Sequence, residues 1–263
     1  MTDAPDPFKP QSAFVQAMVA RGFLYQATDL AGLDAYCASG TPVGYIGFDA
    51  TARSLHVGSL VQIMALRRLQ QAGGKPIVLM GGGTTKVGDP TDKEKSRPIL
   101  SEEEIAANMA AIRRCFEPFL RFGDGPGDAV MLNNDAWLGG LNYLAFLRDY
   151  GRHFTINKMI AQETVARRLR NEEPYTFLEF NYMLLQAYDF LELARTRGCR
   201  LQMGGSDQWG NIVNGVDLAR RVAEVGCFGL TTPLIATASG GKMGKTAQGA
   251  VWLDAEMRPP FDY

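Results

Sequence analysis

The stretch GFDATARSLHVGSL, residues 47 to 60, contains His56, one of only two histidines in the chain. The apolar segment before it predicts a short strand, and the apolar spacing after it predicts a helix. In a parallel sheet such a loop lies at the carboxyl edge, where ligands bind, and the helix N-terminus favours phosphate. Gly47 and Gly58 would let backbone approach a ligand closely, and His56 and Thr51 are candidate donors to phosphate oxygens. A structural or solvated histidine is the alternative interpretation.

A second candidate phosphate site is the loop SGGKMGKT, residues 239 to 246. It nearly matches the phosphate-binding pattern GxxxxGK[ST]. However, it begins with Ser239, and the residues after Thr246 do not predict a helix, so we reject that motif. Lys242 and Lys245 still suit a polyphosphate. A solvated basic turn is the alternative.

A third loop, GDPTDKEKSR at residues 88 to 97, follows the turn GGGTT after a predicted strand. Its position again indicates the carboxyl edge of the sheet. Lys93, Lys95 and Arg97 could reach an anion there, although a charged loop of this kind can also be merely solvated.

Three polar residues share one face of the predicted helix NYMLLQAYDF, residues 181 to 190. Tyr182, Gln186 and Asp189 lie at positions i, i+4 and i+7. If that face is buried, these side chains need hydrogen-bond partners. Either a hydrogen-bonded core network or a small polar ligand would provide them.

The stretch GGSDQWGN, residues 204 to 211, places an acid after paired glycines and before a predicted helix. Asp207 could hold a ribose hydroxyl there. A plain turn is the alternative interpretation of this stretch.

The elements that would position these side chains follow a strand–helix–strand order, which predicts an α/β fold with a parallel sheet. Strands are predicted over residues 42–48, 76–80, 129–134, 199–203 and 233–237.

Helical patterns fill the spaces between these strands. Leu60, Ile63 and Met64 mark a helix whose apolar stripe is interrupted by Arg67, so that prediction rests mainly on its first two turns. Gly73 and Gly74 end it. A capping box of Ser101 and Glu104 predicts a helix through about residue 120, and residues 140–197 are mostly helical in pattern.

Composition narrows the functional class. The chain has 263 residues, 46% of them hydrophobic and 21% charged, which is typical of a globular protein with one large domain or two small ones. No membrane span and no secretion signal are predicted. The net charge of −1 argues against a broad nucleic-acid-binding face. The four cysteines form no CxxC pair, which favours reduced thiols in the cytoplasm and argues against a zinc site.

Together these stretches resemble the catalytic domain of bacterial tyrosyl-tRNA synthetases, which are class I aminoacyl-tRNA synthetases. HVGS at 56–59 resembles the class I HIGH motif, and KMGKT at 242–246 resembles KMSKS. YxGFDxTAxSLHxG, the YxxxQAxD helix and GGSDQWGN are specific to that family. The resemblance implies that residues 1–263 form one catalytic domain, a Rossmann-like parallel sheet with helices on both faces. A mainly helical insertion at about 135–200 would carry a dimer interface.

The resemblance also implies roles for individual residues in tyrosine and ATP binding. Those implied for tyrosine are Tyr45 and Asp189 at its hydroxyl, Asp89, Tyr182 and Gln186 at its α-ammonium group, and Gln208 near its carboxylate. Those implied for ATP are Gly47, Asp49, Gly58, Gly205 and Asp207, with Asp207 and the Gly205 backbone at the ribose. Those implied for catalysis, at the ATP phosphates, are Thr51, His56, Lys93, Arg97, Lys242, Lys245 and Thr246.

The implied reaction joins L-tyrosine to ATP, accompanied by Mg²⁺, and then transfers the tyrosyl group to tRNA(Tyr). The enzyme would be a cytoplasmic homodimer without a protein-bound metal. Full-length relatives carry anticodon-binding and C-terminal RNA-binding domains, which we expect to be absent from this chain.

Two positions depart from the family pattern. Ser59 replaces the second histidine of the HIGH motif, and Ile46 stands where some relatives have cysteine. By the resemblance, we expect the contact with phosphate or ribose to be weaker or different at Ser59, and one ribose contact to differ at Ile46.

Three alternatives remain. A tryptophanyl enzyme would share the fold, but its pocket must accept an indole N–H, whereas Tyr45 with Asp189 suits a phenol. Another HxGH-type nucleotidyltransferase would leave the YxxxQAxD helix without a purpose. A non-enzymatic RNA-binding relative would be expected to lose ATP-site residues such as Asp89 and Asp207, which are present.

Overall fold

The structure is a computed structural model, and it describes residues 8–91, 99–236, 251–259 and 261. Its strands are β1 (Gln26–Ala27), β2 (Val43–Phe48), β3 (Lys75–Met80), β4 (Val130–Asn133), β5 (Leu201–Gly205) and β6 (Phe228–Thr232). Its helices are α1 (Ala13–Ala20), α2 (Leu30–Ala38), α3 (Val57–Gln71), α4 (Gly82–Thr85), α5 (Glu102–Arg113), α6 (Asp135–Leu138), α7 (Tyr143–Asp149), α8 (Ile156–Ile160), α9 (Glu163–Arg170), α10 (Phe177–Arg197) and α11 (Trp209–Ala223). Short 3₁₀ turns cover Gly151–His153 and Ser206–Gln208.

The strands form one mostly parallel sheet in the order β1-β6-β5-β2-β3-β4. Only the edge pair β1–β6 is antiparallel within the described residues. From β2 the chain proceeds to β3 and β4 on one side, whereas β5 and β6 lie on the other side. The order therefore reverses between β2 and β5, and open α/β sheets bind ligands at such a point.

Helices cover both faces of the sheet because successive side chains of a strand point to opposite faces. Ile46 and Val78 pack in the cluster that holds α1, α2, α3 and α5. Their neighbours Tyr45 and Ile77 pack in the cluster that holds α10 and α11. The predicted α/β class with helices on both faces is confirmed.

The segment between β4 and β5 is helical, from α6 to α10, as the sequence predicts. Its apolar side chains form a separate cluster that includes Phe146, Met159 and Leu184. Its last helix, α10, has 21 residues and begins with a capping box formed by Thr176 and Glu179. Among the described residues, no helix combines the length and apolarity needed to cross a membrane.

The predicted strand at 233–237 is wrong. The sixth strand lies earlier, at Phe228–Thr232, where it pairs with both β5 and β1. Pro233 follows it directly and has no N–H to donate to a neighbouring strand. Residues 233–235 leave the sheet instead, and Thr237 lies outside the described residues.

The helix predicted through about residue 120 is also too long, because α5 ends at Arg113 and continues only as turns. Pro118 explains this end, since its ring would clash with the carbonyl of Arg114 in a continuous helix. In addition, Glu117 precedes a proline and is disfavoured in the helical region. The predicted GGGTT turn is likewise a single helical turn, α4.

Arg67 does not end α3, which continues to Gln71. Its guanidinium group donates to the carbonyl of Phe119 at 2.8 Å. An arginine can thus interrupt the apolar stripe without a buried unpaired charge, because its long apolar stem packs while its head finds a partner.

Candidate active site

A cleft of about 820 Å³ opens at the carboxyl ends of β2, β3 and β5, where the strand order reverses. It brings together every predicted site residue that the structure describes. These are Tyr45, Gly47, Asp49, Thr51, His56, Gly58, Asp89, Tyr182, Gln186, Asp189, Gly205, Asp207 and Gln208. The two departures from the family pattern, Ile46 and Ser59, line the same cleft.

The remaining predicted residues, Lys93, Arg97, Lys242, Lys245 and Thr246, lie outside the described residues, as does Lys95. The described residues on both sides of 237–250 do reach the cleft. Pro233, Leu234 and Ile235 line it before the gap, and Trp252 lines it afterwards.

At one end of the cleft, Tyr45 and Asp189 are both almost fully buried. The Tyr45 hydroxyl has no hydrogen-bond partner among the described residues. The Tyr45 ring packs edge-on against Phe190, with 5.3 Å between ring centroids. The strand β2 therefore faces α10, as a shared role for Tyr45 and Asp189 needs. Burial, and then the charge of Asp189, raises the pKa of Tyr45 well above its ordinary value. The hydroxyl is therefore neutral and offers both a donor and an acceptor to a ligand.

The carboxylate of Asp189 is held by two donors that the sequence did not single out. Asn134 Nδ2 donates to Oδ2 at 2.9 Å, and Trp137 Nε1 donates to Oδ1 at 2.7 Å. Asn134 directly follows β4 as the N-cap of α6, and Trp137 lies within α6. The only sequence signal was that a polar pair, Asn133 and Asn134, ends a predicted strand at the carboxyl edge.

Burial raises the pKa of Asp189 to about 7. The hydrogen bonds from Asn134 and Trp137 act in the opposite direction, and the nearby charges of Asp49 and Glu192 raise the pKa further. Asp189 thus carries a carboxyl group whose protonation changes near neutral pH and which responds to any added donor.

A chain of hydrogen bonds connects the other polar residues at this end. Gln186 Nε2 donates to Gln208 Oε1 at 3.4 Å, and Gln208 Nε2 donates to Asp89 Oδ2 at 2.9 Å. The backbone N–H of Thr91 donates to Asp89 Oδ1 at 2.9 Å, and Asn211 Nδ2 donates to Gln208 at 3.3 Å. Gln186 Oε1 is buried without a partner among the described residues. This leaves a buried acceptor on the same hydrogen-bonded chain as the Asp89 carboxylate, an arrangement that suits a cationic ligand group.

Asp49 connects Tyr182 of α10 with Thr84 of α4. It accepts a hydrogen bond from the Tyr182 hydroxyl at 3.2 Å and another from Thr84 Oγ1 at 2.9 Å. The sequence grouped Asp49 with the nucleotide residues. In the structure its carboxylate bonds to Tyr182, which the sequence grouped with the amino acid site. Asp49 therefore stands between the two parts of the cleft.

His56 is the N-cap of α3. Its Nδ1 accepts a hydrogen bond from the backbone N–H of Gly58 at 3.1 Å. In the neutral imidazole the other nitrogen, Nε2, then carries the proton and is the donor. Residues 251–253 pair with the backbone on both sides of His56. Val57 N donates to Val251 O at 2.9 Å, and Leu253 N donates to Leu55 O at 2.8 Å.

Glycines also line the cleft. A Cβ at Gly47 would meet no atom within 4 Å, so the cleft is open there. A Cβ at Gly205 would lie 2.5 Å from Asp207 Oδ1 and 2.8 Å from a methyl group of Leu234. A side chain at position 205 would therefore displace the carboxylate of Asp207.

Comparison with known proteins assigns the chain to a family. The family model described as tRNA synthetases class I (W and Y) matches residues 40–263. The chain belongs to this family.

Relatives of this family carry the same motif-bearing region. The chain is 65% identical to the tyrosine–tRNA ligase of Caulobacter sp. (strain K31) over 253 residues, which are 96% of this chain and 60% of that protein. It is 61% identical to the tyrosine–tRNA ligase of Rhodospirillum rubrum over 254 residues, which are 97% of this chain and 61% of that protein. The chain therefore spans about three fifths of these curated relatives.

Solved structures agree with the fold. A C-terminally truncated mitochondrial tyrosyl-tRNA synthetase of Aspergillus nidulans matches with a TM-score of 0.85 and 29% identity, covering 96% of this chain and 74% of that one. A tyrosyl-tRNA synthetase of Archaeoglobus fulgidus complexed with L-tyrosine matches with a TM-score of 0.70 and 19% identity, covering 94% and 72%. The Rossmann-like class I fold is confirmed.

The buried carboxyl group of Asp189 should make stability depend on pH. Its pKa is raised to about 7 in the folded chain and is about 3.9 when unfolded. The native state therefore holds a proton that the unfolded state has released, so the contribution of Asp189 to stability declines as pH rises from about 4 to about 7. Urea unfolding across this range should show that the free energy of unfolding of the wild type, minus that of Asp189→Asn, falls as pH rises. Parallel profiles would contradict the assignment.

Removing the Trp137 donor should raise the pKa of Asp189 further. Trp137→Phe deletes a 2.7 Å hydrogen bond to a buried carboxylate, and we expect a loss of about 1–3 kcal/mol at pH 8. The midpoint of the pH profile should also move upward. Trp209→Phe, at the start of α11, leaves both donors to Asp189 in place and is the control. An unchanged midpoint in Trp137→Phe would show that this donor does not set the pKa.

Proposed function

We propose that this chain activates L-tyrosine with ATP, as the catalytic part of a tyrosine–tRNA ligase. The Tyr45 hydroxyl carries the proposal, because it is buried without a partner among the described residues and lies in the same cleft as the Asp189 carboxyl group. A phenol hydroxyl entering this end would donate to Asp189 and pair with Tyr45. The names of the relatives support tyrosine over tryptophan, and an indole has no hydroxyl acceptor to offer Tyr45.

The amino and carboxyl groups of tyrosine would lie along the hydrogen-bonded chain. Gln186 Oε1, which has no partner among the described residues, would accept from the α-ammonium group. Asp89 would supply the opposing charge, and Tyr182 would complete the set. Gln208, which already donates to Asp89, would lie near the substrate carboxylate and hold it at a fixed distance from the ammonium site.

The nucleotide would lie along the other wall of the cleft. Asp207, whose position depends on the absence of a side chain at Gly205, would accept from ribose hydroxyls, with the Gly205 backbone beside them. The open surface at Gly47 would admit the nucleotide closely, with Asp49 and Gly58 nearby. His56 Nε2 and Thr51 would donate to phosphate oxygens.

The first reaction step needs no general base, because a carboxylate is already ionised at neutral pH. A tyrosine carboxylate oxygen attacks the α-phosphorus of ATP and forms an O–P bond. The bond from that phosphorus to the bridging oxygen breaks, and pyrophosphate leaves. The task of the protein is to position the reactants and to stabilise developing phosphoryl charge. For that task we propose His56 and Thr51, with Lys93, Arg97, Lys242, Lys245 and Thr246.

Mg²⁺ would enter with ATP. Within the described ranges, no three His, Cys, Asp or Glu side chains gather as a metal site, so the phosphate oxygens would supply the ligands. The ion would neutralise phosphate charge when bound.

The second step would transfer the tyrosyl group to the terminal ribose of tRNA(Tyr) and release AMP. This activity, and the tRNA partner, belong to the whole protein, of which this chain corresponds to about three fifths by comparison with its relatives. We propose that the enzyme is located in the bacterial cytoplasm, since the two tyrosine–tRNA ligases compared above are bacterial and all four cysteines are free thiols.

We also propose a homodimer formed through the helical insertion. That segment exposes large apolar side chains, among them Phe177 at 68%, Leu144 at 75% and Ile156 at 60%. With this exposure, Phe177 is not a core residue. Exposed apolar surface of this kind marks an interaction site when it is contiguous, and the family resemblance points to a second copy of the chain.

Tyrosine-dependent exchange of pyrophosphate into ATP tests the proposed function, with phenylalanine and tryptophan as controls. A site whose buried polar groups pair with a substrate hydroxyl rejects the analogue that lacks it, and tyrosyl-tRNA synthetases are themselves the standard example of this rule. Tyr45→Phe should reduce the preference for tyrosine over phenylalanine by about 0.5–1.5 kcal/mol, and Asp189→Asn by about 1.5–3 kcal/mol. Full preference in Asp189→Asn, or exchange driven by tryptophan, would refute the proposal.

Substituting Phe177 with aspartate should convert the dimer to monomer, because a charge would be buried at the interface. Sedimentation velocity at micromolar concentration gives the measurement. Tyr25→Asp, an equally exposed aromatic position outside the insertion at 63%, is the matched control and should remain dimeric. A wild-type chain that sediments only as monomer would eliminate this interface.

A further inference from the structure

Arg168, in α9, is among the largest fully buried side chains, with an exposed fraction of 0%. Burying a guanidinium group is unfavourable unless charge and hydrogen bonds compensate it. Here Nη1 donates to Glu179 Oε1 at 2.8 Å, and Nη2 donates to the carbonyl oxygen of Pro174. The guanidinium carbon lies 4.8 Å from the centre of the Tyr175 ring. The proposed chemistry gives Arg168 no role, yet its partners surround the beginning of α10: Pro174 and Tyr175 lie just before the helix, and Glu179 lies in its first turn.

Glu179 is the partner that connects Arg168 to the helix. Its Oε2 accepts from the backbone N–H of Thr176 at 3.0 Å and from the Thr176 hydroxyl at 2.9 Å, while its own N–H donates to that hydroxyl at 3.2 Å. The same carboxylate thus closes the capping box and receives Arg168 on its other oxygen. Because Glu179 is itself only 4% exposed, water cannot replace either contact.

The face of α10 that carries Glu179 also carries the residues of the cleft. Tyr182, Gln186 and Asp189 follow at i+3, i+7 and i+10 from Glu179, and these spacings keep side chains on one side of a helix. All three line the cleft. A change at the first turn of α10 would therefore be transmitted along a single stripe of side chains.

We propose that Arg168 is a positioning residue for the tyrosine site, and this inference rests on the proposed function. The buried Arg168–Glu179 ion pair fixes where α10 begins. It thereby fixes the position along the helix axis at which Tyr182 and Gln186 would contact the substrate. Binding constellations tolerate displacements of only about 0.5 Å.

The effect should weaken along the helix. Tyr182 lies about 4.5 Å from Glu179 along the axis, whereas Asp189 lies about 15 Å away and is held independently by Asn134 and Trp137. The ammonium end of the tyrosine site thus depends on Arg168, and the hydroxyl end does not.

The loop before α10 supports the same conclusion. Burial raises the pKa of Tyr175 to about 12, with the charges of Glu179 and Asp89 adding to it and that of Arg168 opposing it. The residue that stacks on Arg168 is therefore within electrostatic reach of Asp89, which stands at the proposed ammonium site.

The test compares tyrosine with 3-(4-hydroxyphenyl)propanoate, which lacks the ammonium group, in calorimetric binding to this chain. The main variant is Arg168→Met with Glu179→Gln, since the pair is then neutral and glutamine still serves a capping box. We expect tyrosine to bind about tenfold more weakly, while the affinity for the analogue, the KM for ATP and the preference for tyrosine over phenylalanine stay within twofold, about 0.4 kcal/mol. Arg168→Lys keeps the charge but loses the planar fork and should give an intermediate loss. If the double variant does not fold, Arg168→Lys alone tests the positioning role, by the same comparison of tyrosine with the analogue.

Arg170→Met is the matched control, because Arg170 lies on the same helix and pairs with Glu163 at the surface. It should bind both ligands as the wild type does. Equal losses of affinity for tyrosine and the analogue would overturn the positioning role. Variants that melt at lower temperature but lose no affinity for tyrosine would overturn it as well. A wild-type chain that neither binds tyrosine nor exchanges pyrophosphate would instead refute the proposed function.

Discussion

A stripe of buried polar side chains on one face of α10 is the constraint on which the rest of the structure depends. Buried polar groups must find hydrogen-bond partners, because leaving one unsatisfied costs about 1–3 kcal/mol. The partners come from distant segments: Arg168 for Glu179, Asp49 for Tyr182, Gln208 for Gln186, and Asn134 with Trp137 for Asp189. The insertion, the strand ends of the sheet and α10 can satisfy one another only when they are assembled together, so the same interactions stabilise the fold and build the cleft.

The sheet supplies the other half of the site by its topology. Its strand order reverses between β2 and β5, and the loops after these strands diverge, which leaves the cleft between them. The start of α3, with His56 as its cap, follows β2 on one side, and Gly204 and Gly205 end β5 on the other. Asp49 bonds to Tyr182 across this boundary. This hydrogen bond connects the proposed amino acid and nucleotide sites. A reaction between two bound substrates requires that both be held in a fixed relative position.

Local sequence signals predicted much of this arrangement, and they failed where two signals competed. The strands at 42–48 and 76–80 were predicted nearly to the residue because both are apolar, bounded by turn residues and buried on both faces. The strand predicted at 233–237 was wrong because PLIAT is more apolar than FGLTT, and apolarity alone takes no account of the missing N–H of Pro233. The extension of α5 failed for the same reason at Pro118. Arg67 shows the converse, since a charged residue that breaks an apolar stripe is tolerated when its guanidinium group finds a carbonyl.

The sequence by itself determined the fold class, the motif-bearing loops and the shared face of Tyr182, Gln186 and Asp189. These follow from the succession of strands and helices along the chain, from helical periodicity and from turn composition, all of which can be read from short stretches of sequence. Only the tertiary structure decided what those side chains meet. Asn134 ended a predicted strand but was not singled out, Trp137 gave no signal, and the hydrogen bond from Tyr182 to Asp49 was not predicted. The raised pKa of Asp189 likewise comes from burial. Hydrogen-bond partners and desolvation depend on which distant segments are brought into contact, and no pattern within a short stretch of sequence contains that information.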